Sequence, residues 1–410
     1  MKNRWNIDIE FDNRWRLGIK PGLERIGRAI FHLSPPDDTV AVSIAGTNGK
    51  GSVARFLESI LTRCEVKTGL FTSPHLVSAR ERVLVGGASL PDVDLEGAAR
   101  ALGAIEDSLG FKLTGFEWIF ALAAKVFWER GVDIAIFEAG LGGRLDATNA
   151  IDPDLTVITP IAMDHENVLG RTPGRIAAEK AGLIRPGKPV VLAAQVPEAM
   201  EVLQAAATRA SPLLIEGRDF KWAADGASYS YEGPTLSLEL DLRLPQYQYQ
   251  NLSLAIAAAE CLTEPAGRAG QFAEGISETN QPGRFQLLKI GTEKVLMDVA
   301  HNPHAAEALA ASFEREYGSP AGILVAAKAD KDLPAMLKAV SGLGAGIIVC
   351  GLPGGRGTEK LASVAGAGVT VVSDPDEAME LLLSCQGDNP ALCFGSHHLV
   401  GYYVSRYENS

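Results

Sequence analysis

Residues 40–52 read VAVSIAGTNGKGS. A short run rich in β-branched residues, 40–45, ends in a glycine-rich turn that carries one lysine and two hydroxyl side chains. Apolar residues then recur at helical spacing, at Val53, Phe56, Leu57, Ile60, Leu61 and Cys64. This pattern predicts a buried strand that the turn joins to a helix.

Backbone N–H groups and a helix N-terminus that face one point suit an anionic phosphate, and Lys50 can reach the phosphates of a nucleotide. The predicted phosphate-binding loop comprises Gly46, Thr47, Asn48, Gly49, Lys50, Gly51 and Ser52.

This loop departs from the strict nucleotide-binding pattern. Its first two glycines, Gly46 and Gly49, are closer together than the usual spacing. Gly51 stands where a hydroxyl normally follows the lysine, and Ser52 supplies that hydroxyl one place later. On this stretch alone, a plain glycine-rich turn between strand and helix remains the alternative interpretation.

The composition is that of an ordinary globular protein. A chain of 410 residues is long for one core, so two or three domains are expected. Hydrophobic residues make up 46% and charged residues 21%. A net charge of −12 disfavours a nucleic-acid partner. The five cysteines contain no Cys-x-x-Cys pair, and we expect buried reduced thiols.

The beginning of the sequence lacks an apolar signal segment, and no apolar run reaches the length of a membrane span. We therefore expect a cytoplasmic protein without a membrane partner.

Near-continuous apolar strands alternate with helical patterns along residues 22–262. The strands are predicted at 40–45, 67–72, 131–137, 155–161 and 188–193, and the helices near 22–30, 53–64, 95–109, 116–130, 174–182 and 251–262. This order indicates an α/β fold with a mostly parallel sheet covered on both faces. Alternating residues predict a small antiparallel patch at about 219–245.

A second strand–helix alternation follows the turn residues at 280–283. Its strands are predicted at 294–299, 321–327, 345–350, 369–372 and 391–394. We therefore expect a P-loop-type domain over 1–284 and a smaller Rossmann-like α/β domain over 285–410.

Polar side chains stand directly after several predicted strands. Ser73 follows the strand at 67–72, Glu138 follows 131–137, and His165 follows 155–161. Ligands of open α/β sheets bind outside the carboxyl ends of the strands, so these groups are expected to meet near the phosphate loop. Hydroxyl and carboxylate oxygens suit Mg²⁺, whereas an imidazole is a less usual magnesium ligand.

Each of these residues also has a structural interpretation. Glu138 alone could be a helix N-cap anion, and Ser73 could be a turn residue before Pro74. A lone histidine such as His165 is more often a hydrogen-bonded structural group than a ligand. Lys180 could be half of an ion pair on a helix surface.

Taken in order, the motifs resemble those of folylpolyglutamate synthases and dihydrofolate synthases, the folate branch of the Mur ligase superfamily. The resemblance extends from about Gly22 over nearly the whole chain. The matching stretches are GTNGKGS at 46–52, TSPHL at 72–76, EAGLGGRLDATN at 138–149, DH at 164–165, EKAG at 179–182, PGRFQ at 282–286, DVAHNP at 298–303 and FGS at 394–396.

This resemblance implies roles for residues around the nucleotide. The loop would hold the phosphates of ATP, Asn251 would read the adenine, and Arg284 would reach the phosphates. The residues that match the family's magnesium ligands are Ser73, Glu138 and His165. Lys180 matches a lysine that family members carry as a carbamate, which would turn a cation beside Mg²⁺ into a carboxylate-like group.

The resemblance also implies catalytic and substrate-binding residues. The catalytic set would be Lys50, Lys180, His165, Arg284 and His301, with Asp298 as a further ATP contact. Asp146 and Arg25 correspond to positions near the pterin, and Ser396 to a position that faces the incoming amino acid.

Two stretches in the C-terminal part depart from the family pattern. Ala326 and Ala327 stand where a glycine is usual, before the KADKD of 328–332. His397 and His398 stand where an aromatic residue is common.

The expected function is an ATP-dependent amide ligase that adds L-glutamate to dihydropteroate, a reduced folate, or both, through an acyl phosphate. The alternatives are a sister ligase with another acid or amino acid, and a nucleotide-binding regulator that has lost ligation. A dinucleotide-dependent oxidoreductase is disfavoured because no Gly-x-Gly-x-x-Gly follows the first strand. The expected partners are ATP, Mg²⁺ and small substrates, with the protein as a monomer.

Overall fold

The computed structural model describes residues 5–18, 20, 22–355, 368–385 and 387–408. The chain divides into two compact units, the first formed by Met1–Arg243 and Gln248–Asn280, the second by Leu244–Tyr247 and Gln281–Ser410. The domain boundary expected near 284 stays a prediction.

The first unit is built on a sheet whose strand order is β4-β3-β2-β5-β1-β6-β7-β8. Strands β2, β5, β1, β6, β7 and β8 run parallel, and β3 and β4 form an antiparallel edge. The strands are β1 (Val40–Ala45), β2 (Thr68–Phe71), β3 (Val83–Val85), β4 (Ala88–Ser89), β5 (Ile134–Glu138), β6 (Leu155–Ile158), β7 (Val190–Leu192) and β8 (Leu213–Ile215). The predicted mostly parallel α/β sheet is confirmed.

Helices cover both faces of this sheet, which explains why its strands are apolar on both sides. One core contains Trp118, Phe120 and Phe137, and the other contains Ile158 and Ile176. The helices that lie wholly or mostly in the first unit are α1 (Ile7–Trp15), α2 (Glu24–Leu33), α3 (Lys50–Arg63), α4 (Asp92–Leu109), α5 (Gly115–Arg130), α6 (Glu166–Leu169), α7 (Pro173–Ala181), α8 (Pro197–Ala206), α9 (Gln246–Leu262) and α10 (Ala269–Glu278).

A three-stranded antiparallel sheet lies within the segment predicted for it. Its strands are β9 (Lys221–Asp225), β10 (Ser228–Glu232) and β11 (Ser237–Asp241), with β10 in the centre. Tyr229 and Tyr231 of β10 are buried, whereas the residues at its two ends are exposed. This period of two matches a sheet with one buried face.

The second unit has its own sheet, in the order β12-β13-β17-β14-β15-β16. Strand β12 runs antiparallel to β13, and the other neighbours are parallel. The strands are β12 (Gln286–Ile290), β13 (Glu293–Asp298), β14 (Ile323–Val325), β15 (Ile347–Cys350), β16 (Thr370–Val372) and β17 (Ala391–Phe394). The helices are α11 (Pro303–Tyr317), α12 (Leu333–Val340), α13 (Pro375–Leu383) and α14 (His397–Tyr407).

Two elements differ from the sequence prediction. Helix α9 begins at Gln246 rather than at Asn251, because Gln248 and Tyr249 are buried despite their polarity and the helix extends through them. The polar N-terminal stretch contains helix α1, which Asn6 caps by accepting a hydrogen bond from the Ile9 N–H and which buries Phe11.

All five cysteines are free thiols. Cys64, Cys350 and Cys393 are buried, as expected, whereas Cys261 and Cys385 are half-buried. Burial raises the pKa of the Cys350 thiol to about 12, which keeps this sulfur in its unreactive protonated form. Among the described helices, none combines the length and apolar character that crossing a membrane requires.

Close packing of α10 on α3 gives a stability prediction. A Cβ atom on Gly275 would lie 2.7 Å from the Cα of Ile60 and 2.8 Å from the carbonyl oxygen of Ser59, both backbone atoms that cannot rotate away. We expect Gly275→Ala to lower the free energy of unfolding by about 1–3 kcal/mol, measured by urea unfolding.

Gly270→Ala on the same helix is the matched control, since no atom lies within 4 Å of the added methyl. Alanine there should be neutral or stabilising by about 0.5–1 kcal/mol. Equal effects of the two substitutions would contradict this account of the α3–α10 contact.

Candidate active site

The phosphate loop follows β1, the strand between β5 and β6. In these pairings Ile44 lies opposite Glu138, and Ala45 opposite Ile158. Residues that follow the three strands therefore gather at one edge of the sheet. Gly49 caps α3 with a φ of 85°, a left-handed conformation that glycine adopts without strain.

Residues after β6 hold the first half of the loop. The Thr159 hydroxyl donates to the carbonyl of Asn48 at 2.6 Å, and the Thr47 N–H donates to the carbonyl of Pro160 at 3.0 Å. A Cβ on Gly46 would lie 1.8 Å from the Thr159 Oγ1, so this position requires glycine. Residues after β6 therefore define the shape of the loop.

Two lysines converge on the carbonyl oxygen of Gly46. The Lys180 Nζ donates to it at 2.7 Å and the Lys50 Nζ at 3.2 Å. Burial, reinforced by the charge of Lys50, lowers the pKa of Lys180 to about 7, against smaller opposing effects of Asp164 and Asp146. Lys50 in a glycine-rich loop, beside a second amine that is partly protonated near neutral pH, favours an anion at this place.

The predicted proximity of Ser73 and Glu138 is present. The Ser73 N–H donates to Glu138 Oε2 at 2.9 Å, and Glu138 is buried. Close by is Arg82, a buried side chain whose Nε donates to the Nδ1 of His75 at 2.8 Å. Burial lowers the pKa of Arg82 to about 10, and the charges of Glu138 and Glu81 oppose this shift.

His165 adopts a φ of 50° at the start of α6. Its Nε2 lies 3.9 Å from Asp164 Oδ1. Across the described ranges, no group of three or more His, Cys, Asp and Glu side chains is arranged to hold a metal ion. The donors at this edge fit Mg²⁺ when the remaining ligands are phosphate and water oxygens, as is usual for Mg²⁺ bound with nucleotides.

Helix α9 reaches the second half of the loop through side-chain amides. The Asn251 Nδ2 donates to Gln248 Oε1 at 2.9 Å, and the Gln248 Nε2 donates to the Ser52 Oγ at 3.1 Å. A Cβ on Gly49 would lie 2.1 Å from the Asn251 Oδ1. The structure therefore brings Asn251, predicted to bind adenine, against the phosphate loop itself.

The two residues predicted to lie near a pterin make hydrogen bonds within the first unit. Asp146 is buried and accepts from the Thr148 hydroxyl at 2.7 Å and the Leu141 N–H at 2.8 Å. Burial raises the pKa of the Asp146 carboxyl, and these hydrogen bonds oppose the shift. The Arg25 Nη2 donates to Glu117 Oε1 at 2.9 Å.

In the second unit, Asp298 ends β13 and is buried. Its carboxylate accepts from the Tyr247 hydroxyl at 2.6 Å, the Phe285 N–H at 2.9 Å and the Ala300 N–H at 2.7 Å. Burial raises the pKa of Asp298, while these hydrogen bonds and the charge of Arg284 act in the opposite direction.

His301 and Ser396 follow neighbouring strands of this sheet. The Nδ1 of His301 lies 2.9 Å from the carbonyl oxygen of Val299, and its ring centroid lies 5.5 Å from that of His397. Burial and the positive charges nearby, including His301 and Arg284, hold the pKa of His397 well below its usual value. Ser396 is buried and caps α14 by accepting from the N–H of His398.

Three residues near the phosphate loop or near the contact between Ser73 and Glu138 were not predicted as site residues. Thr159 directly follows β6, so the strand-end rule could have found it. Gln248 lies three residues before Asn251, on the same helix face, but Gln246 and Gln250 stand in the same polar stretch and the sequence does not distinguish Gln248 from them. Arg82 lies in a charged stretch typical of exposed residues, and no sequence signal marks it.

The buried amine of Lys180 gives a pH prediction. Its pKa is 10.5 in an unfolded chain and about 7 in the folded one. Between these values the unfolded state binds more protons, so this lysine makes the free energy of unfolding rise with pH. Below pH 7 the lysine is charged in both states and its burial destabilises the fold fully.

Lys180→Met should therefore stabilise the protein, relative to wild type, most strongly below pH 7. We expect the difference in unfolding free energy to fall by up to about 1.4 kcal/mol per pH unit between pH 7 and 10.5. Urea unfolding in CO₂-free buffer measures it, with Lys338→Met at an exposed lysine as control. A difference that does not vary with pH would refute the buried-amine account.

Comparisons with known proteins agree with this architecture. Residues 283–397 match the family described as Mur ligase, glutamate ligase domain. The chain is 32% identical over 347 residues to a dihydrofolate synthase/folylpolyglutamate synthase of Bacillus subtilis, covering 79% of this chain and 80% of that one. It is 36% identical over 301 residues to the Escherichia coli protein of the same description, covering 71% of this chain and 68% of that one.

Solved structures of similar proteins have the same fold along almost the full length of this chain. Folylpolyglutamate synthase of Mycobacterium tuberculosis, complexed with ADP and AMPPCP, superposes with a TM-score of 0.87 and 28% identity over 98% of each chain. FolC of E. coli, in complex with DHPP and ADP, superposes with a TM-score of 0.86 and 29% identity, over 98% of this chain and 97% of that one. With these levels of identity and coverage, the chain belongs to the dihydrofolate synthase/folylpolyglutamate synthase family.

Proposed function

We propose that the protein is an ATP-dependent ligase that joins L-glutamate to dihydropteroate, a reduced folate, or both. The observation that carries this proposal is the position of Lys50, whose Nζ donates to the carbonyl of Gly46 within a glycine-rich loop held by Thr159. The ammonium group of Lys50 in such a loop, on a chain of this ligase family, supports binding of the phosphates of ATP. We further propose that the protein works as a cytoplasmic monomer on small molecules, with neither nucleic acid nor membrane as partner.

The chemistry needs an activated acid, because a carboxylate and an ammonium ion do not condense in water. An oxygen of the substrate carboxylate attacks the γ-phosphorus of ATP, and ADP leaves with the bond electrons. The amine nitrogen of glutamate then attacks the acyl carbon, inorganic phosphate leaves, and the amine proton passes to solvent. Lys50 would orient and stabilise the phosphoryl group, since its Nζ already lies at the start of the loop.

Ser73 and Glu138 would hold Mg²⁺, together with His165 and a carbamate on Lys180. When bound, this ion would neutralise charge on the phosphate oxygens. A lysine whose pKa is about 7 is partly an uncharged amine at neutral pH. Its nitrogen can therefore bond to the carbon of CO₂ and release one proton, and the product is an anion that suits a metal site.

In the second unit, we assign Arg284 and Asp298 to ATP, His301 to catalysis and Ser396 to the amino acid. In the first unit, Asn251 would contact the adenine, while Asp146 and Arg25 would lie near the pterin. A sister ligase with a different amino acid is the second candidate. The observation that favours it is the contact of His301 with His397, a residue that departs from the family pattern.

The deciding assay is Mg²⁺-dependent ADP release with L-glutamate, run separately with dihydropteroate and with tetrahydrofolate. We expect turnover with at least one acid, and Lys50→Ala should reduce it about 100-fold or more. Lys188→Ala removes a lysine that pairs with Asp154 and should leave turnover unchanged.

Silence with both acids in protein that binds ATP would contradict the folate assignment and favour the sister ligase. Near-normal turnover of Lys50→Ala would contradict the role of the loop.

A second test addresses the carbamate. Lys180→Ala should lose activity because the proposed anionic group is absent, and bicarbonate should not restore it. Short-chain carboxylic acids such as propionate should restore part of the turnover by supplying a carboxylate at the vacated position. The same acids should not rescue Lys50→Ala, and full activity of Lys180→Ala would remove the carbamate from the mechanism.

A further inference from the structure

We propose that Gln248 is a positioning residue of the nucleotide site, and that Asn251 and Gln248 together hold the phosphate loop in its binding shape. This inference rests on the proposed function, because it assumes that the loop binds nucleotide phosphates. It assigns to the start of α9 a task that is separate from contact with adenine.

The amides form a chain with a single direction. The Asn251 Nδ2 donates to Gln248 Oε1 at 2.9 Å, and the Gln248 Nε2 donates to the Ser52 Oγ at 3.1 Å. Because the Gln248 oxygen is an acceptor for Asn251, its amide group can present only its nitrogen to Ser52. The rotamer of Ser52 is thus held by a residue 196 positions away in the sequence.

Burial makes this chain rigid. Gln248 is 2% exposed, Asn251 is 5% exposed and the Ser52 side chain is fully buried. In such surroundings an amide that loses its partner cannot turn to water instead, so each hydrogen bond strongly favours one arrangement.

The close approach at Gly49 extends the contact to the loop backbone. A Cβ there would lie 2.1 Å from Asn251 Oδ1, so the amide occupies the space that a side chain would need. Asn251 therefore packs on the residue that caps α3, while Gln248 acts on the hydroxyl one turn later. A loop ordered in advance loses less entropy when it binds phosphate, which favours tighter binding.

The test is a calorimetric titration of Mg-ADP into wild type, Gln248→Met and Gln250→Met, with the melting temperature of each ligand-free protein. Gln248→Met keeps the chain length and removes the hydrogen bonds. We expect it to weaken binding about three- to tenfold, and because Asn251 and Ser52 each lose a buried hydrogen-bond partner it should also lower the ligand-free melting temperature. Gln250→Met removes an amide of the same helix that donates to Glu216, and should bind Mg-ADP as wild type does.

Two further measurements separate positioning from general damage. If Gln248 acts through Ser52, Gln248→Met should have no further effect in a Ser52→Ala background. Gln248→Glu keeps the shape of the side chain and can still accept from Asn251, and it should weaken binding at least as much as Gln248→Met. If Gln248→Met fails to fold, Gln248→Glu is measured in its place.

Inorganic triphosphate, which lacks adenine, distinguishes the two roles of Asn251. Competition against Mg-ADP should show that Asn251→Ala weakens binding of Mg-triphosphate, because the loop itself is affected. Unchanged triphosphate binding, or a Gln248→Met protein that binds Mg-ADP as wild type does, would overturn this inference alone. Wild-type protein that does not bind Mg-ADP would overturn the proposed function as well.

Discussion

Two lysine amines share the carbonyl oxygen of Gly46, and the phosphate loop is arranged around that constraint. The buried Lys180 donates to this oxygen at 2.7 Å while the charge of Lys50 opposes its protonation. Such a pair is costly unless an anion is bound or one amine is neutral. The lowered pKa of Lys180 favours the second of these, a neutral amine. A nucleotide phosphate or a carbamate would provide a more complete neutralisation.

The two lysines can favour an anion at the loop only if the loop backbone is held in place beside them. Thr159 holds the loop from the end of β6, and Gln248 holds it from α9. Neither contact neutralises a lysine, so both leave the positive potential available to a ligand. The positions at Gly46 and Gly49 exclude a side chain because Thr159 and Asn251 already occupy the space. Neighbouring side chains therefore define the shape of the loop, and Lys50 gives it a positive charge.

Local pattern and one general rule of parallel sheets were sufficient to predict much of this site. The alternation of strands and helices predicted the sheet. The positions of Ser73 and Glu138 directly after two of its strands predicted that these residues lie close together. Gln248 was missed because its hydrogen bond to Ser52 spans 196 residues and depends on how α9 packs. The burial of Arg82 was missed for a similar reason, since local polarity indicates an exposed segment. The predicted roles of Asp146 and Arg25 came from resemblance, and the hydrogen bonds of these residues could not be inferred from it.

In the second unit, a departure from the family's sequence pattern lies just beyond the end of strand β17. Strands β13 and β17 are parallel neighbours, with Asp298 opposite Phe394. His301 lies three residues after Asp298, and His397 lies three residues after Phe394. The register of the two strands therefore brings the two histidine rings together. Because burial and nearby cations keep His397 uncharged, it adds a polar ring beside His301 without adding positive charge. The doubled histidine therefore changes the hydrogen-bonding capacity next to a predicted catalytic residue, and the proposed amino-acid site is where specificity is most open to differ from that of its relatives.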